Sequence, residues 1–297
     1  MRRRRRTANV LYACAGVVVA LVILFPFLFV LSASLQTESE LIRRPPPIVA
    51  PQPTIDNYRY IFTGRVPAAY ASKELLRGTV TKDVRQIPTG LRNSFIVAIG
   101  TVLVNLVLAT LGAYTFARER FRGRQAAFYF ILGSRLLPSV AVAVPIYIGL
   151  RSLGLLDSKL GLVLIYSAFT LPFSIWVLTL YFRSLPVELE EAARVDGCTR
   201  LETLRHVVLP LAAPGLAAIA AFSFLFSYSE FLFALFTTET SHAKTIPVII
   251  ASVSVNPDAS YTLIAVGIVL SMIAPIVFAL VFRRYITSGL VASLTRT

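Results

Sequence analysis

Few residues in this chain are of the types that carry out catalysis. Its 297 residues include two histidines and two cysteines. His206 and His242 lie far apart in the sequence, and neither has the spacing of a metal cluster or an evident nucleophile partner. Cys14 and Cys198 form no thiol metal motif. No Gly-Lys pair occurs, so the G-x-x-x-x-G-K-S/T loop that holds nucleotide phosphates is missing. We therefore predict a chain that is not an enzyme and that has no metal site and no cofactor of its own.

The segment 191–197, Glu-Ala-Ala-Arg-Val-Asp-Gly, has residue types suited to docking another protein. Ser184 as a cap and Pro186 in the first turn predict a short helix, which Gly197 ends in a left-handed conformation. Small alanine side chains permit close approach of another surface, and the acidic and basic side chains around them offer charged contacts. We favour this docking interpretation over a solvated amphipathic loop.

A second helix is predicted to start directly after the glycine. Thr199 and Glu202 have the spacing of a capping box, in which each residue satisfies a backbone amide of the other. Leu201, Leu204 and Val208 follow on one helical face and continue toward an apolar segment that begins near Pro210. The prediction is therefore a helix, a tight glycine bend and a second helix.

This spacing resembles the EAA signature of ABC importer permeases, E-A-A-x3-G-x9-I-x-L-P. Val207 takes the isoleucine position, and the other positions match at Glu191, Ala192, Ala193, Gly197, Leu209 and Pro210. Further landmarks at 55–62, 92–94, 230–232 and 289–290 are similar to those of the carbohydrate-uptake permeases, the family of the maltose transporter's second permease subunit. Residues 291–297 lack that subunit's glycine-rich ending, and Ser229 replaces a common asparagine.

Composition indicates a membrane protein independently of this resemblance. The chain is 56% hydrophobic and 15% charged, with a mean hydropathy of +0.72, which is too apolar for a soluble domain. A helix needs about 20 residues to cross the hydrocarbon core. Backbone groups cannot stay unpaired in lipid, so each crossing segment should be helical. We predict an all-α integral membrane fold with six spans, near 10–31, 95–116, 126–150, 160–182, 211–236 and 261–282.

The distribution of arginine predicts the orientation of these spans. Arginines cluster at 2–6, 118–124, 183–205 and 283–296, whereas the short loops on the opposite side carry only Arg151, Lys159 and Lys244. Both termini and the loop that contains the EAA signature are therefore predicted to be cytoplasmic. The net charge of +14 then reflects topology, and we predict no nucleic-acid binding.

The predicted organisation is a single membrane domain. The first apolar run is longer than the roughly 7 to 15 residues of a signal peptide, so we favour a retained anchor. The predicted parts are a basic N-terminus (1–9), a first span (10–31), an external loop (36–90), a five-helix core (91–284) with a coupling loop (184–206), and a cytoplasmic tail (285–297).

Two charged residues fall inside the predicted spans. Arg135 lies near the middle of the third span, and Glu230 lies toward the outer end of the fifth. An ionisable group in hydrocarbon costs a few kcal/mol unless it is paired or hydrated, so both are expected to face the bundle interior. They are candidates for a translocation route, with Tyr228, Ser227 and Asn105 as neutral hydrogen-bonding alternatives. A structural ion pair or an interfacial anchor is the other interpretation.

The resemblance implies a type I ABC importer permease fold in a bacterial or archaeal plasma membrane. It also implies a second permease subunit, two motor subunits that bind ATP and Mg²⁺, and an extracytoplasmic solute-binding protein. The expected solute is a sugar or sugar-like molecule. A permease for glycerol phosphate or an amino acid is the nearest alternative, and a secondary transporter is a more distant one, because paired broken helices in matching halves are not evident.

Overall fold

The structure is a computed structural model that describes residues 2–65, 84–256 and 259–294. Within these ranges the secondary structure is helical, as predicted. Residues 66–83 of the predicted external loop and residues 295–297 of the predicted tail lie outside the described part. The α-helices are, in chain order, α1 (Arg2–Ser34), α2 (Glu38–Leu41), α3 (Asp56–Thr63), α4 (Ile87–Arg118), α5 (Arg124–Gly133), α6 (Ser139–Ser152), α7 (Lys159–Ser184), α8 (Glu188–Val195), α9 (Arg200–Thr203), α10 (Leu209–Leu211), α11 (Ala213–Ser229), α12 (Leu232–Thr237), α13 (Ile246–Ser254) and α14 (Tyr261–Leu294).

Four helical segments in the described residues are long and apolar enough to cross a membrane by themselves. They are Tyr12–Ser34, Ile87–Arg118, Lys159–Ser184 and Tyr261–Arg283. Two bent helix pairs bring the total to six if each pair forms one span. The predicted all-helical membrane fold is confirmed, and the third and fifth spans are each interrupted.

The third span is broken where Arg135 was expected to lie within a helix. α5 ends at Gly133, a single 3-10 turn covers Ser134–Leu136, and α6 starts at Ser139 after a bend of 99°. Pro138 explains the break, because proline lacks an N–H and drives the preceding residue out of the helical region. Leu137 is accordingly extended, with φ −69° and ψ 123°.

The fifth span is interrupted in two places. The helical segments before and after Ala212 meet at a bend of 80°. Pro214 lies in the first turn of α11, where it cannot donate a hydrogen bond to the carbonyl of Pro210 and where its ring disfavours an unbroken helix. At the other end, Glu230 is extended, with ψ 134°, and α12 begins two residues later.

The chain forms two compact units, and the smaller consists of residues 1–88 with 249–272. In this unit Asn57 is buried and donates hydrogen bonds to the carbonyl oxygens of Ser34 and Gln36, at 3.0 and 2.8 Å. The Glu38 carboxylate accepts bonds from the backbone N–H groups of Tyr261 and Thr262, both at 3.1 Å. Glu38 therefore caps the start of α14, where the helix dipole favours a negative charge.

The larger unit consists of residues 89–248 with 273–297, and its described side chains include two clusters of buried apolar residues. One cluster centres on Leu162, Tyr166 and Phe233. The other joins α4 and α7 to the segment that follows the EAA signature, and Phe182 and Val208 are almost fully buried in it. Helices α7 and α11 pack directly against each other.

Asp157 connects two predicted external loops of this larger unit. It has a left-handed φ of 51°, which aspartate tolerates better than most residues. Its carboxylate accepts hydrogen bonds from the backbone N–H groups of Glu239 and Thr240, at 3.0 and 3.1 Å, and from the Thr240 hydroxyl. Partial burial raises the pKa of Asp157, but these hydrogen bonds outweigh the effect, so the pKa is lowered overall.

The lowered pKa predicts that Asp157 stabilises this connection above about pH 4, the usual range of an unfolded aspartate, and ceases to do so as the pH falls through its folded pKa. Asp157→Asn removes the charge and the bond from the Thr240 hydroxyl. We expect the difference in melting temperature between wild type and variant to be largest near neutral pH and to shrink in acid. Thermal unfolding of the purified complex between about pH 7 and pH 3 measures this.

The matched control is Glu239→Gln, which changes an exposed carboxylate in the same loop. A melting-temperature difference for Asp157→Asn that stays constant across the pH range contradicts the prediction.

Candidate functional site

The docking helix predicted from the EAA signature is α8. The helix starts at Glu188 rather than near Ser184, whose hydroxyl donates to the Tyr181 carbonyl at 2.7 Å and does not cap α8. The prediction of a Ser184 cap was wrong because Leu185 precedes Pro186. Leu185 is extended, with ψ 139°, as a residue before proline prefers.

Gly197 ends this helix in the left-handed conformation that the sequence predicts. Its φ is +91°, and an added Cβ would have no atom within 4 Å, so the conformation rather than crowding favours glycine. The N–H of Cys198 bonds to the Ala193 carbonyl at 3.0 Å, and that of Gly197 bonds to the Arg194 carbonyl at 3.1 Å. These two bonds form a Schellman motif, which stops the helix sharply.

The predicted capping box opens the next helix. The N–H of Thr199 bonds to the Glu202 carboxylate at 2.8 Å, and the Thr199 hydroxyl accepts from the N–H of Glu202. Hydrogen bonds from the Thr199 side chain and backbone lower the pKa of Glu202. The capping box therefore starts α9 directly after the glycine bend.

The apolar face of this second helix differs from the prediction. Leu204 and Val208 are buried in the core, whereas Leu201 is 68% exposed. A π-helical turn, Leu204–Val208, lies between Leu201 and the following α-helical segment. Because a π turn contains more residues than an α turn, the face rotates, and Leu201 does not share the orientation of Val208.

A buried ion pair, which sequence reasoning missed, holds α8 against α4. The Arg118 Nε atom donates to the Glu190 carboxylate at 2.7 Å, and the two side chains are 12% and 8% exposed. The Tyr114 hydroxyl donates to the other carboxylate oxygen at 3.0 Å, and Arg118 also donates to the Leu185 carbonyl at 3.2 Å. Glu190 is one of the acidic side chains around the two alanines that were expected to offer charged contacts, but it points inward. The sequence contains no local signal for this pairing.

The outward face of α8 carries most of the residues predicted to contact motor subunits. Ala193 is half-buried, and the exposed residues are Glu191, Ala192, Asp196 and Gly197. Val195 is also exposed, at 87%. The remaining two motif residues lie apart from this face in α10, where Leu209 packs against the core and Pro210 is exposed near the bend. The motif thus has one part that is exposed at the end of α8 and a second part, in α10, that lies next to the bend.

Arg135 lies at the break between α5 and α6 and is exposed. Its guanidinium lies over the rings of Phe173 and Phe222, at 5.7 and 5.9 Å from their centroids. It forms no ion pair with Glu230 or with any other carboxylate in the described ranges 12–65, 84–256 and 259–283. The interior position expected for Arg135 is therefore corrected to a surface position at a helix break.

Glu230 has a local structural partner. Its carboxylate accepts hydrogen bonds from the backbone N–H groups of Phe233 and Ala234, at 3.0 and 3.3 Å. These groups belong to the first turn of α12, whose donors lack helical partners. Glu230 thus caps α12, and this local function accounts for a charged residue near the end of a span.

The three neutral candidates are buried within the larger unit. Asn105 on α4 donates to the Thr170 hydroxyl on α7 and, at 2.8 Å, to the Ser223 hydroxyl on α11. Among the described residues neither its buried side-chain oxygen nor the Ser227 hydroxyl has a hydrogen-bond partner. Tyr228 is 3% exposed. Asn105 therefore links three helices, whereas Arg135 is accessible from outside the unit.

Comparison with known proteins identifies the family of this chain. Residues 105–290 match the family described as binding-protein-dependent transport system inner membrane component. The chain belongs to this family. It is 31% identical over 285 residues to the trehalose/maltose transport system permease protein MalG of Thermococcus litoralis, covering 96% of this chain and 95% of that protein. It is 34% identical over 272 residues to the trehalose transport system permease protein SugB of Mycobacterium tuberculosis, covering 90% of each.

A solved structure supports the fold. The chain matches a crystal structure of a bacterial ABC transporter involved in the import of the acidic polysaccharide alginate, with a TM-score of 0.74 and 22% identity. The match covers 95% of this chain and 98% of that one. The family match shows that the protein is a multi-pass integral inner-membrane protein. It is the non-catalytic permease subunit of a binding-protein-dependent ABC importer.

The left-handed φ of Gly197 predicts the effect of a β-branched substitution in this permease. Such a conformation costs an L-residue about 1–2 kcal/mol. Gly197→Val should therefore misdirect α8 and reduce both uptake and stimulated ATPase in the assembled complex. Transport assays in liposomes, normalised to the amount of complex, measure the loss.

The matched control is Gly123→Val, because Gly123 also has a left-handed φ, +83°, and open space around it, in a different loop. The control should keep coupling near the wild-type level. Wild-type coupling in the Gly197→Val complex contradicts the predicted function of this bend.

The cap on α12 predicts that Glu230 contributes to stability. Glu230→Ala leaves the first amides of α12 without their acceptor, which costs about 1 kcal/mol for a typical N-terminal cap. We expect a lower melting temperature and yield of the complex, with uptake per assembled complex reduced less. Glu239→Ala, an exposed glutamate in the following loop, serves as the control. Lost uptake with an unchanged melting temperature contradicts this and shows that Glu230 acts on the solute directly rather than through the α12 cap.

Proposed function

We propose that this permease pairs with a second permease subunit to form the membrane pathway for uptake of a sugar, either an oligosaccharide or a sugar-like solute. An extracytoplasmic solute-binding protein delivers the solute. The relatives support the sugar assignment, since those of Thermococcus litoralis and Mycobacterium tuberculosis are described as trehalose/maltose and trehalose transport proteins. A third relative, from Agrobacterium fabrum, is 30% identical and is described as a sulfoquinovosyl glycerol transport protein.

Two separate motor subunits bind ATP and Mg²⁺ and dock on the outward face of α8. The observation that carries this proposal is the exposed charged and small-residue face of a short helix whose opposite face is tied to the core by Glu190. A partner can pull on such a helix without unfolding it, because the buried ion pair and the Gly197 stop hold its orientation.

Movement of the motors reaches the membrane helices through two connections. The Arg118–Glu190 ion pair joins α8 to the end of α4, and the burial of Leu204 and Val208 joins the following helix to α4 and α7. When the motor subunits close on ATP, the paired permeases rock between outward-open and inward-open forms. The chemistry of ATP hydrolysis stays in the motor subunits, and this chain converts their displacement into helix motion.

The membrane is a bacterial or archaeal plasma membrane, and both termini and the coupling loop lie on its cytoplasmic side. The clusters of arginine in the loops on that side support this orientation.

Five polar residues are proposed for the solute route, and the geometry divides them. Arg135 is accessible at a helix break, so it is the residue that a solute can reach directly. Glu230 caps α12 and supports the route from within the subunit. Three buried residues line or support it there as well; they are Tyr228, Ser227 and Asn105.

The division of labour predicts that this chain neither binds nor hydrolyses ATP when purified alone. The complete complex in liposomes should hydrolyse ATP, and hydrolysis should rise when the binding protein is loaded with a transported sugar. The assay compares ATPase rates with maltose, trehalose, larger oligosaccharides, glycerol 3-phosphate and amino acids. Hydrolysis by the isolated chain, with contaminating motors excluded, contradicts the motor assignment. Stimulation only by glycerol phosphate or an amino acid contradicts the sugar assignment.

A further inference from the structure

A group of aromatic side chains lies beside the helix break that contains Arg135. Phe173 and Trp176 lie one helical turn apart on α7, with ring centroids 5.9 Å apart. Phe222 on α11 packs on Phe173 at 4.3 Å, and Phe226 follows Phe222 at 6.2 Å. We call these four residues the aromatic strip. It joins α7 and α11, which pack directly against each other.

The strip is partly open on its outer side. Trp176, the single tryptophan of the chain, is 38% exposed, and the three phenylalanines are half-buried. An indole ring in this state has an apolar surface available for contact. Its neighbour Phe173 also contacts the Arg135 guanidinium, so the tryptophan and the arginine border the same ring.

The guanidinium of Arg135 is held in place without being neutralised. It lies over two aromatic rings, and the described part of the chain supplies no carboxylate to pair with it. Contact with rings orients the flat guanidinium but leaves its N–H donors unused. A lipid tail cannot accept these hydrogen bonds, so hydrocarbon is a poor occupant of this surface.

An open cavity of about 340 Å³ adjoins the same arginine. Ser134, Arg135 and Leu137 line it from the break, and Phe169 and Pro172 line it from α7. Its size falls within the range of about 300–1,000 Å³ for small-molecule sites, which are mostly apolar with a few polar groups. The broken third span thus borders a concave surface with one cation, Arg135, and one aromatic ring, Phe169. The same arginine contacts Phe173 of the aromatic strip.

We propose that this surface is a sugar-binding subsite of the transport route, in which Trp176 stacks on the C–H face of a pyranose ring. Arg135 donates hydrogen bonds to hydroxyl oxygens of the same ring. A pyranose matches the surface because it combines an apolar C–H face with a rim of hydroxyl acceptors. This inference rests on the proposed function as a sugar permease and adds that this subunit itself contacts the sugar.

The test uses the complete importer in liposomes with its binding protein. A panel of hexose, pentose and uronic acid oligosaccharides first establishes which sugar stimulates ATPase and is taken up. Trp176→Leu then removes the aromatic face while keeping apolar bulk, and Trp176→Tyr keeps an aromatic face. We expect uptake by Trp176→Leu to fall about fivefold to tenfold, the scale of one aromatic contact, and uptake by Trp176→Tyr to stay close to wild type.

Arginine is tested in the same way. Arg135→Ala should reduce uptake at least as much as Trp176→Leu does. Uptake by Arg135→Lys should lie between that of Arg135→Ala and that of wild type, because lysine keeps a charged donor. Uptake is also divided by the ATPase that the loaded binding protein stimulates, and this ratio should fall for Trp176→Leu and Arg135→Ala but not for Trp176→Tyr. The controls are Phe130→Leu on α5 and Arg151→Ala at the end of α6, both exposed and away from the strip.

Three outcomes overturn the inference in distinguishable ways. Wild-type uptake by both Trp176→Leu and Arg135→Ala, with a sugar that stimulates the complex, shows that the surface does not bind the solute and leaves the proposed function intact. Loss of the partner permease from the purified complex in proportion to uptake shows that protein covers the surface. A complex that no sugar in the panel stimulates contradicts the sugar assignment and, with it, this subsite.

Discussion

The buried ion pair between Arg118 and Glu190 is the interaction on which the geometry of the coupling loop depends. Removing one partner of a buried pair costs about 3–5 kcal/mol, because the other charge stays buried and uncompensated. This cost keeps α8 attached to α4 while its outer face stays free for a partner. The Tyr114 hydroxyl also donates to the Glu190 carboxylate, and Arg118 also donates to the Leu185 carbonyl. Each buried charge therefore has a second hydrogen-bond partner. A docking helix without such an anchor would bend under load instead of transmitting it.

Prolines shape the membrane part of the same system. Pro138 and Pro214 each remove a helical N–H in the middle of an apolar stretch, and each coincides with a sharp bend. In lipid the freed backbone groups need protein or water partners, so bends of this kind are tolerated where they border a cavity. At the first break the result is a concave surface beside Arg135, and at the second it is a change of direction between the coupling loop and α11. The family relationship and the match to a solved importer agree with this architecture.

Most of the fold and part of the site were predictable from the sequence. Apolar segments of sufficient length required helices, because only helices satisfy the backbone in lipid, and the predicted capping box and left-handed glycine are both present. The errors have local physical causes. A proline inside an apolar run does not change hydropathy but breaks the helix, and a π turn rotates a face that α-helical spacing predicts to be uniform. Ser184 has the right residue type for a cap, yet Pro186 displaced the helix start.

Residue types and spacing by themselves determined that this is a helical membrane protein and that it carries the EAA signature of its family. These properties depend on hydropathy, local capping and short motifs, which are encoded within a few turns of chain. The tertiary structure alone decided that Glu190 faces inward and that Arg135 lies on aromatic rings contributed by two other helices. Each of these depends on contacts between segments that are distant in sequence. A charged residue in an apolar sequence segment indicates only that its side chain needs an interaction partner. The packing of the helices determines which side chain or backbone group is close enough to be that partner.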